Sequence, residues 1–168
     1  ENDAVADDEV RFGDNDRIAA LVAQLVGADL LVLLTDTPGL LDADPRFASN
    51  ASLIEEIAEV DHELEALAGG AGSERGSGGM ASKLAAAKMA SWSGVRAVIA
   101  AADRVGVLDD AIAGRSGVGT IVLPRARKLS ARKLGIAFAL ASHGQVAIDE
   151  GAVRAVVSGG RSLLAAGV

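Results

Sequence analysis

Residues 77–83 read Ser-Gly-Gly-Met-Ala-Ser-Lys, with two glycines set directly before a helix-forming run and a lysine one turn into it. Without Cβ atoms, Gly78 and Gly79 let the backbone N–H groups of Ser77, Gly78, Gly79, Met80 and Ala81 come close to an anion. A helix start adds N–H donors without an intrahelical partner and a partial charge of about +0.5. Lys83, with Ser82 beside it, would bring its ammonium to the same anion. The chemistry that suits this pattern is phosphate binding. The spacing is not that of the G-x-x-x-x-G-K-[ST] loop. A flexible loop followed by an ordinary surface lysine fits the segment about as well.

Thr35-Asp36 forms a second candidate. The pair ends the apolar run Leu30-Leu31-Val32-Leu33-Leu34, and open α/β sheets bind ligands outside the carboxyl ends of their strands. Asp36-Thr37-Pro38-Gly39 is also good turn chemistry whatever it binds. A third candidate is the acidic and amide cluster Glu1-Asn2-Asp3 with Gly13-Asp14-Asn15-Asp16. It does not match the calcium loop D-x-[DN]-x-[DN]-G. Helix capping accounts for Asp14 and Asn15, and a solvated arm accounts for Asp7, Asp8 and Glu9. A narrower reading gives Asp3 and Asn15 to the amino group and polar atoms of a substrate, and has Asp16 orient a lysine that meets a phosphoryl group.

These candidates need elements to hold them. Ile18, Leu21, Val22 and Leu25 follow helical spacing, and Gly27 stops the pattern. Leu30–Leu34 does not alternate, as expected of a strand buried on both faces of a parallel sheet. Leu53–Val60 fits a strand or a helix, with strand preferred, and His62–Leu67 is expected as a short helix. Ala68–Gly79 is a glycine- and serine-rich loop that leads into an alanine-rich helix over Met80–Ser91. Val95–Ala100 is then expected as a strand, Val107–Ala113 as a helix and Thr120–Leu123 as a strand. This alternation indicates an α/β domain with a largely parallel sheet sandwiched by helices. Arg125, Arg127, Lys128, Arg132 and Lys133 then mark a composition change without an intervening acid, read as a solvated linker. Leu134–Leu140 and Gln145–Ile148 read as strands and Glu150–Val157 as a short helix. Trp92 reads as a packing residue at a helix end.

Composition narrows the function classes. With 168 residues the chain is the size of one ordinary domain, which on folding hides roughly 70% of its unfolded surface. Half of the residues are hydrophobic but only 2% are aromatic, so the core must come from Ala, Val, Leu and Ile. A net charge of −7 disfavours broad nucleic-acid binding, although a local nest of N–H groups can still hold a small phosphorylated ligand. Without cysteine there is no disulfide, thiolate nucleophile or cysteine metal site, and the isolated His62 and His143 offer little to zinc or a catalytic triad. No apolar run approaches the roughly 18 residues of a membrane span, and no signal-peptide pattern opens the chain. A soluble, cytoplasmic protein is expected, with no membrane partner and no protein-held metal.

Taken in order, these segments resemble the glutamate 5-kinase branch of the amino-acid kinase family. The likeness is carried by Glu1-Asn2-Asp3-Ala4-Val5, Gly13-Asp14-Asn15-Asp16, Leu33-Leu34-Thr35-Asp36 with Gly39-Leu40 and Asp44-Pro45-Arg46, Gly78-Gly79-Met80 with Ser82-Lys83, and Asp149-Glu150-Gly151-Ala152. It runs over nearly the whole chain. The Thr-Asp and Asp-Pro-Arg elements occur in related kinases of the family, whereas the Glu-Asn-Asp-Ala-Val and Gly-Asp-Asn-Asp pair points to the glutamate branch.

The resemblance implies transfer of the ATP γ-phosphoryl group to the side-chain carboxylate of L-glutamate, the first step of proline biosynthesis, with Mg²⁺ carried on the nucleotide. It puts Asp3 and Asn15 at the glutamate, Asp16 where catalytic lysines are held, and Thr35, Asp36 and Ser77–Lys83 at ATP, with Lys83 also catalytic. It further implies homo-oligomers and feedback inhibition by proline. Residues 1–130 would be the C-terminal, ATP-binding portion of the kinase domain, 131–144 a linker, and 145–168 the start of a β-rich PUA-like module. The family's opening strand, glycine-rich phosphate loop, lysine and glutamate-contacting serine have no counterpart here, so the chain is expected to be a fragment, inactive alone. Two other readings stay open: a non-catalytic nucleotide-binding or assembly module, and a sister kinase acting on another carboxylate or a nucleoside monophosphate.

Overall fold

The structure, a computed structural model, describes residues 15–43, 48, 50–69, 79–134, 137–138 and 147–161. Asp3, Ser77 and Gly78 lie outside the described residues. The chain divides into two units, Glu1–Ala137 and Phe138–Val168. The first unit contains α1 (Asn15–Val26), β1 (Leu30–Thr35), β2 (Glu56–Ile57), α2 (His62–Ala68), α3 (Met80–Trp92), β3 (Arg96–Ala101), α4 (Val107–Ala113), β4 (Thr120–Val122) and α5 (Ala131–Leu134).

The four strands form one sheet in the order β1-β3-β4-β2. β1 runs parallel to β3, with Leu30 opposite Arg96 and Thr35 opposite Ala101. β2 runs parallel to β4, and β3 meets β4 antiparallel. The sheet is therefore mixed and mostly parallel: two parallel pairs share one antiparallel junction, because α4 returns the chain to the edge that β3 left. Helices flank it. Val98 and Ala100 of β3 pack with Val107 and Ala111 of α4. Alternation turns Ala97 and Ile99 to the opposite face, and α3 packs on the same strand.

Two tight turns set the directions of the helices. Gly27 adopts φ +65° after α1, and the Ala28 N–H donates to the Ala23 carbonyl at 2.8 Å. Gly94 adopts φ +79° after α3, and the Val95 N–H donates to the Ala90 carbonyl at 2.9 Å. A left-handed residue at a helix end carries little cost only for glycine. Three residues then separate each helix from its strand, so α1 doubles back on β1 and α3 on β3. The N-termini of both helices consequently lie at the carboxyl edge of the two parallel strands.

Burial departs from the sequence pattern in two places. Leu30–Leu34 is not covered on both faces: only Leu33 is buried, and Leu34 is 44% exposed. The fully covered strand is β3, whose Ala97, Val98, Ile99 and Ala100 are all at 0% exposure. Among the described residues β3 has a hydrogen-bonded neighbour on each side and β1 on one side only. On α1 the apolar stripe is not the buried face. Ala20 and Ala23 are buried, while Leu21, Val22 and Leu25 are exposed. α1 packs on α3, whose covered face includes Ala86, Ala87 and Ala90; small side chains let helix axes approach closely.

Smaller corrections concern the connections. Of Leu53–Val60 only Glu56–Ile57 is strand, while Leu53 bridges antiparallel to Leu41. Residues 131–134 form a helical turn in place of a strand start: Leu134, 3% exposed, donates its N–H to the Ser130 carbonyl at 3.0 Å. Ala, Arg, Lys and Leu are all good helix formers. The basic run also begins as part of the first unit, not as a solvated linker. Arg125 pairs with Glu59 at 2.7 Å and stacks 4.7 Å from the Trp92 ring, and the Leu129 N–H donates to the Trp92 carbonyl at 2.9 Å. In the second unit, α6 (Glu150–Val157) is capped by Asp149, which accepts the Ala152 N–H at 2.7 Å. Ala147 and Ile148 are not strand; Gln145 and Val146 lie outside the described residues. Among the described residues no helix is long and apolar enough to cross a membrane.

Candidate functional site

The shared edge of the two parallel strands gathers the described candidates. Asp16 is the second residue of α1, and Ser82 and Lys83 lie in the first turn of α3. Both helices start at this edge, so residues 66 and 67 positions apart become neighbours. The Ser82 hydroxyl donates to Asp16 Oδ2 at 2.6 Å. Lys83 Nζ donates to Asp16 Oδ2 at 3.1 Å and to Oδ1 at 3.3 Å. The Lys83 and Asp16 side chains are 12% and 14% exposed. At that burial the surroundings screen the pair far less than water screens a surface ion pair. The carboxylate thus cross-links the two helix starts and holds the ammonium in one place.

Gly79 caps α3 in an extended conformation, φ −79° and ψ −173°, and makes no side-chain cap bond of its own. The Lys83 N–H closes the first intrahelical bond, to the Gly79 carbonyl at 3.2 Å. The N–H groups of Met80 and Ala81 precede that bond, where a helix offers its backbone donors no intrahelical acceptor. The backbone at Gly79 is one that any residue adopts, and among the described residues a Cβ there would meet nothing within 4 Å. The fold itself therefore does not require glycine at this position.

Thr35 ends β1 and its carbonyl accepts the Ala102 N–H at 2.8 Å. Its hydroxyl donates to Asp36 Oδ1 at 3.1 Å, and Asp36 is exposed. Thr35 and Asp36 therefore stand at the same edge as the starts of α1 and α3. Asn15 is the exposed first residue of α1, beside Asp16. Asp42 serves the loop itself, accepting the Ser52 N–H at 2.7 Å.

The structure thus brings Asp16 and Lys83 into contact, sets Met80 and Ala81 in the first turn of α3, and puts Thr35 and Asp36 at a strand tip. It gives the Ser82 hydroxyl to Asp16, a partner that sequence reasoning did not name. Hydroxyl–carboxylate pairing across 66 residues leaves no local trace. Among the described residues no group of three or more His, Asp or Glu side chains could hold a metal ion.

The amino acid kinase family model matches residues 1–101. A glutamate 5-kinase from Rhodococcus jostii (strain RHA1) is 53% identical over 169 residues, an alignment covering 100% of this chain and 44% of the relative. A glutamate 5-kinase from Mycobacterium ulcerans (strain Agy99) is 50% identical over 169 residues, with the same coverage of 100% and 44%. Among solved structures, a carbamate kinase from Giardia lamblia bound to AMP-PNP is 24% identical with a TM-score of 0.49, covering 66% of this chain and 32% of that one. The chain spans less than half the length of the curated relatives it matches.

Proposed function

Because this chain belongs to the amino acid kinase family, we propose that it supplies the ATP-binding part of a kinase that phosphorylates the side-chain carboxylate of L-glutamate. The product is L-glutamyl 5-phosphate, the first intermediate of proline biosynthesis. A carboxylate oxygen of glutamate attacks the γ-phosphorus, the bond to the β–γ bridging oxygen breaks, and ADP leaves with the electron pair. No proton need move. Positioning and charge stabilisation carry such a reaction.

One observation carries the reading: the Asp16 carboxylate holds Lys83 in the first turn of α3. An ammonium has three hydrogens, and Asp16 takes at most two of them here. The third is available to a phosphoryl oxygen, with the first-turn N–H groups of α3 beside it. Asp16 acts by positioning Lys83, and Lys83 stabilises the transferring group. Thr35 and Asp36 contact the nucleotide from the tip of β1, and Asn15 joins Asp3 in binding glutamate. Mg²⁺ would be carried on the phosphate oxygens of the nucleotide, where it would offset their charge. The naming of relatives about half identical to this chain as glutamate 5-kinases supports glutamate as substrate. The same reading extends to a cytoplasmic homo-oligomer inhibited by proline, with a PUA-like module beginning near residue 145.

In a full-length enzyme containing this segment, Lys83→Ala lowers kcat by about 10²–10³, the scale for losing one charge-stabilising donor. Glutamyl phosphate trapped as the hydroxamate measures it, and a near-normal kcat removes the assignment. A second reading is a nucleotide-binding module without turnover of its own. Hydroxamate formed by this chain alone excludes it.

A further inference from the structure

Thr120, the first residue of β4, is at 0% exposure. A hydroxyl so deeply buried needs a partner. Its Oγ1 accepts the backbone N–H of Leu40 at 2.8 Å, across 80 residues of sequence. Leu40 is itself only 2% exposed, and its carbonyl accepts the Ile54 N–H at 2.9 Å. Both backbone groups of Leu40 are therefore pinned. The preceding Gly39 is pressed onto the same threonine. A Cβ there would stand 2.7 Å from Thr120 Oγ1 and 2.9 Å from Thr120 N, and its φ of +146° is one that side chains rarely adopt.

The geometry makes the segment after β1 a short bridge between two fixed points. At one end Thr35 is held in the sheet, opposite Ala101. At the other, Leu40 hangs on Thr120, which β4 holds opposite Ile99 of β3. Asp36, Thr37, Pro38 and Gly39 span the gap. We propose that Thr120 is a positioning residue for nucleotide binding: by accepting the Leu40 N–H it sets the path of residues 36–39, and so the place at which Thr35 and Asp36 meet the nucleotide. The proposal rests on the nucleotide reading of Thr35 and Asp36 above. Thr120 acts through the Leu40 amide, and valine, of nearly the same shape, supplies no acceptor.

The test measures amide hydrogen exchange at Leu40 without ligand, and Mg-ATP affinity by calorimetry, on the intact chain and on Thr120→Ser and Thr120→Val. In Thr120→Val the Leu40 amide exchanges about tenfold faster and Mg-ATP binds about five- to tenfold more weakly, the scale of one lost buried hydrogen bond. Thr120→Ser, which keeps the acceptor, stays close to the parent in both. Unchanged Leu40 exchange in Thr120→Val overturns the proposal, and so does faster exchange with unchanged affinity. A parent chain that binds no Mg-ATP removes the nucleotide reading and this role with it, while the exchange data still report whether Thr120 fixes the loop. Should Thr120→Val unfold, seen as lost protection at Val98 and Ile99, Gly39→Ala disturbs the same contact from the loop side. The same two changes are expected of it, and their absence overturns the proposal.

Discussion

At the scale of single residues, the cluster at the helix starts joins a hydroxyl and an ammonium to one carboxylate. Asp16 accepts from Ser82 and twice from Lys83, and the ion pair is only 12–14% exposed. Removing one member leaves the other charge poorly solvated, a cost of about 1–3 kcal/mol. Asp16→Asn and Lys83→Met should therefore each destabilise the chain to urea. The double variant should lose less than the sum, with a coupling of about 1 kcal/mol or more. Strict additivity would show that the contact contributes nothing. Gly79 offers a cleaner separation of fold from ligand. Its backbone suits any residue and no described residue would meet an added methyl within 4 Å, so Gly79→Ala should change stability by less than about 0.5 kcal/mol. If phosphates approach the start of α3, the added methyl weakens Mg-ATP binding severalfold, which calorimetry reads; equal affinity would move the phosphates elsewhere.

At the scale of elements, α1 shows how far a helical pattern reaches. The spacing of Ile18, Leu21, Val22 and Leu25 predicts a helix, and a helix is there. Which face meets the core was not legible, because α3 presents alanines and receives Ala20 and Ala23 best. The consequence is an inverted mutational profile. Leu25→Ala, at a position 85% exposed, should shift stability by less than about 0.5 kcal/mol. Ala20→Leu, at 0% exposure, should cost about 1–3 kcal/mol by overpacking. Thermal or urea denaturation compares the two, and a larger loss at Leu25 would contradict the packing. α4 and α6 matched their expected limits, Val107–Ala113 and Glu150–Val157, because caps and glycines mark helix ends within a turn. The reading of residues 134–140 as strand failed at Leu134, where a local i to i+4 bond prevailed.

At the scale of the whole chain, the alternation of strand and helix indicated an α/β arrangement, and the sheet is mixed and mostly parallel. Order along the sequence does not state order across the sheet. β1 lies beside β3, and β2 lies at the far side of β4. The antiparallel junction of β3 and β4 has no signature in composition, since apolar runs suit either direction.

The sequence by itself determined where the helices and main strands form and that Gly27 ends α1, and it offered Asp16, Thr35, Asp36 and Lys83 as candidates. Those signals are local, acting through capping, periodicity and the freedom of glycine over a few residues. Only the tertiary structure decided that Ser82 serves Asp16, that α1 buries its alanines, and that Thr120 holds Leu40. Each depends on groups 66 to 80 positions apart or on which neighbouring element covers a face, and packing alone brings such partners together.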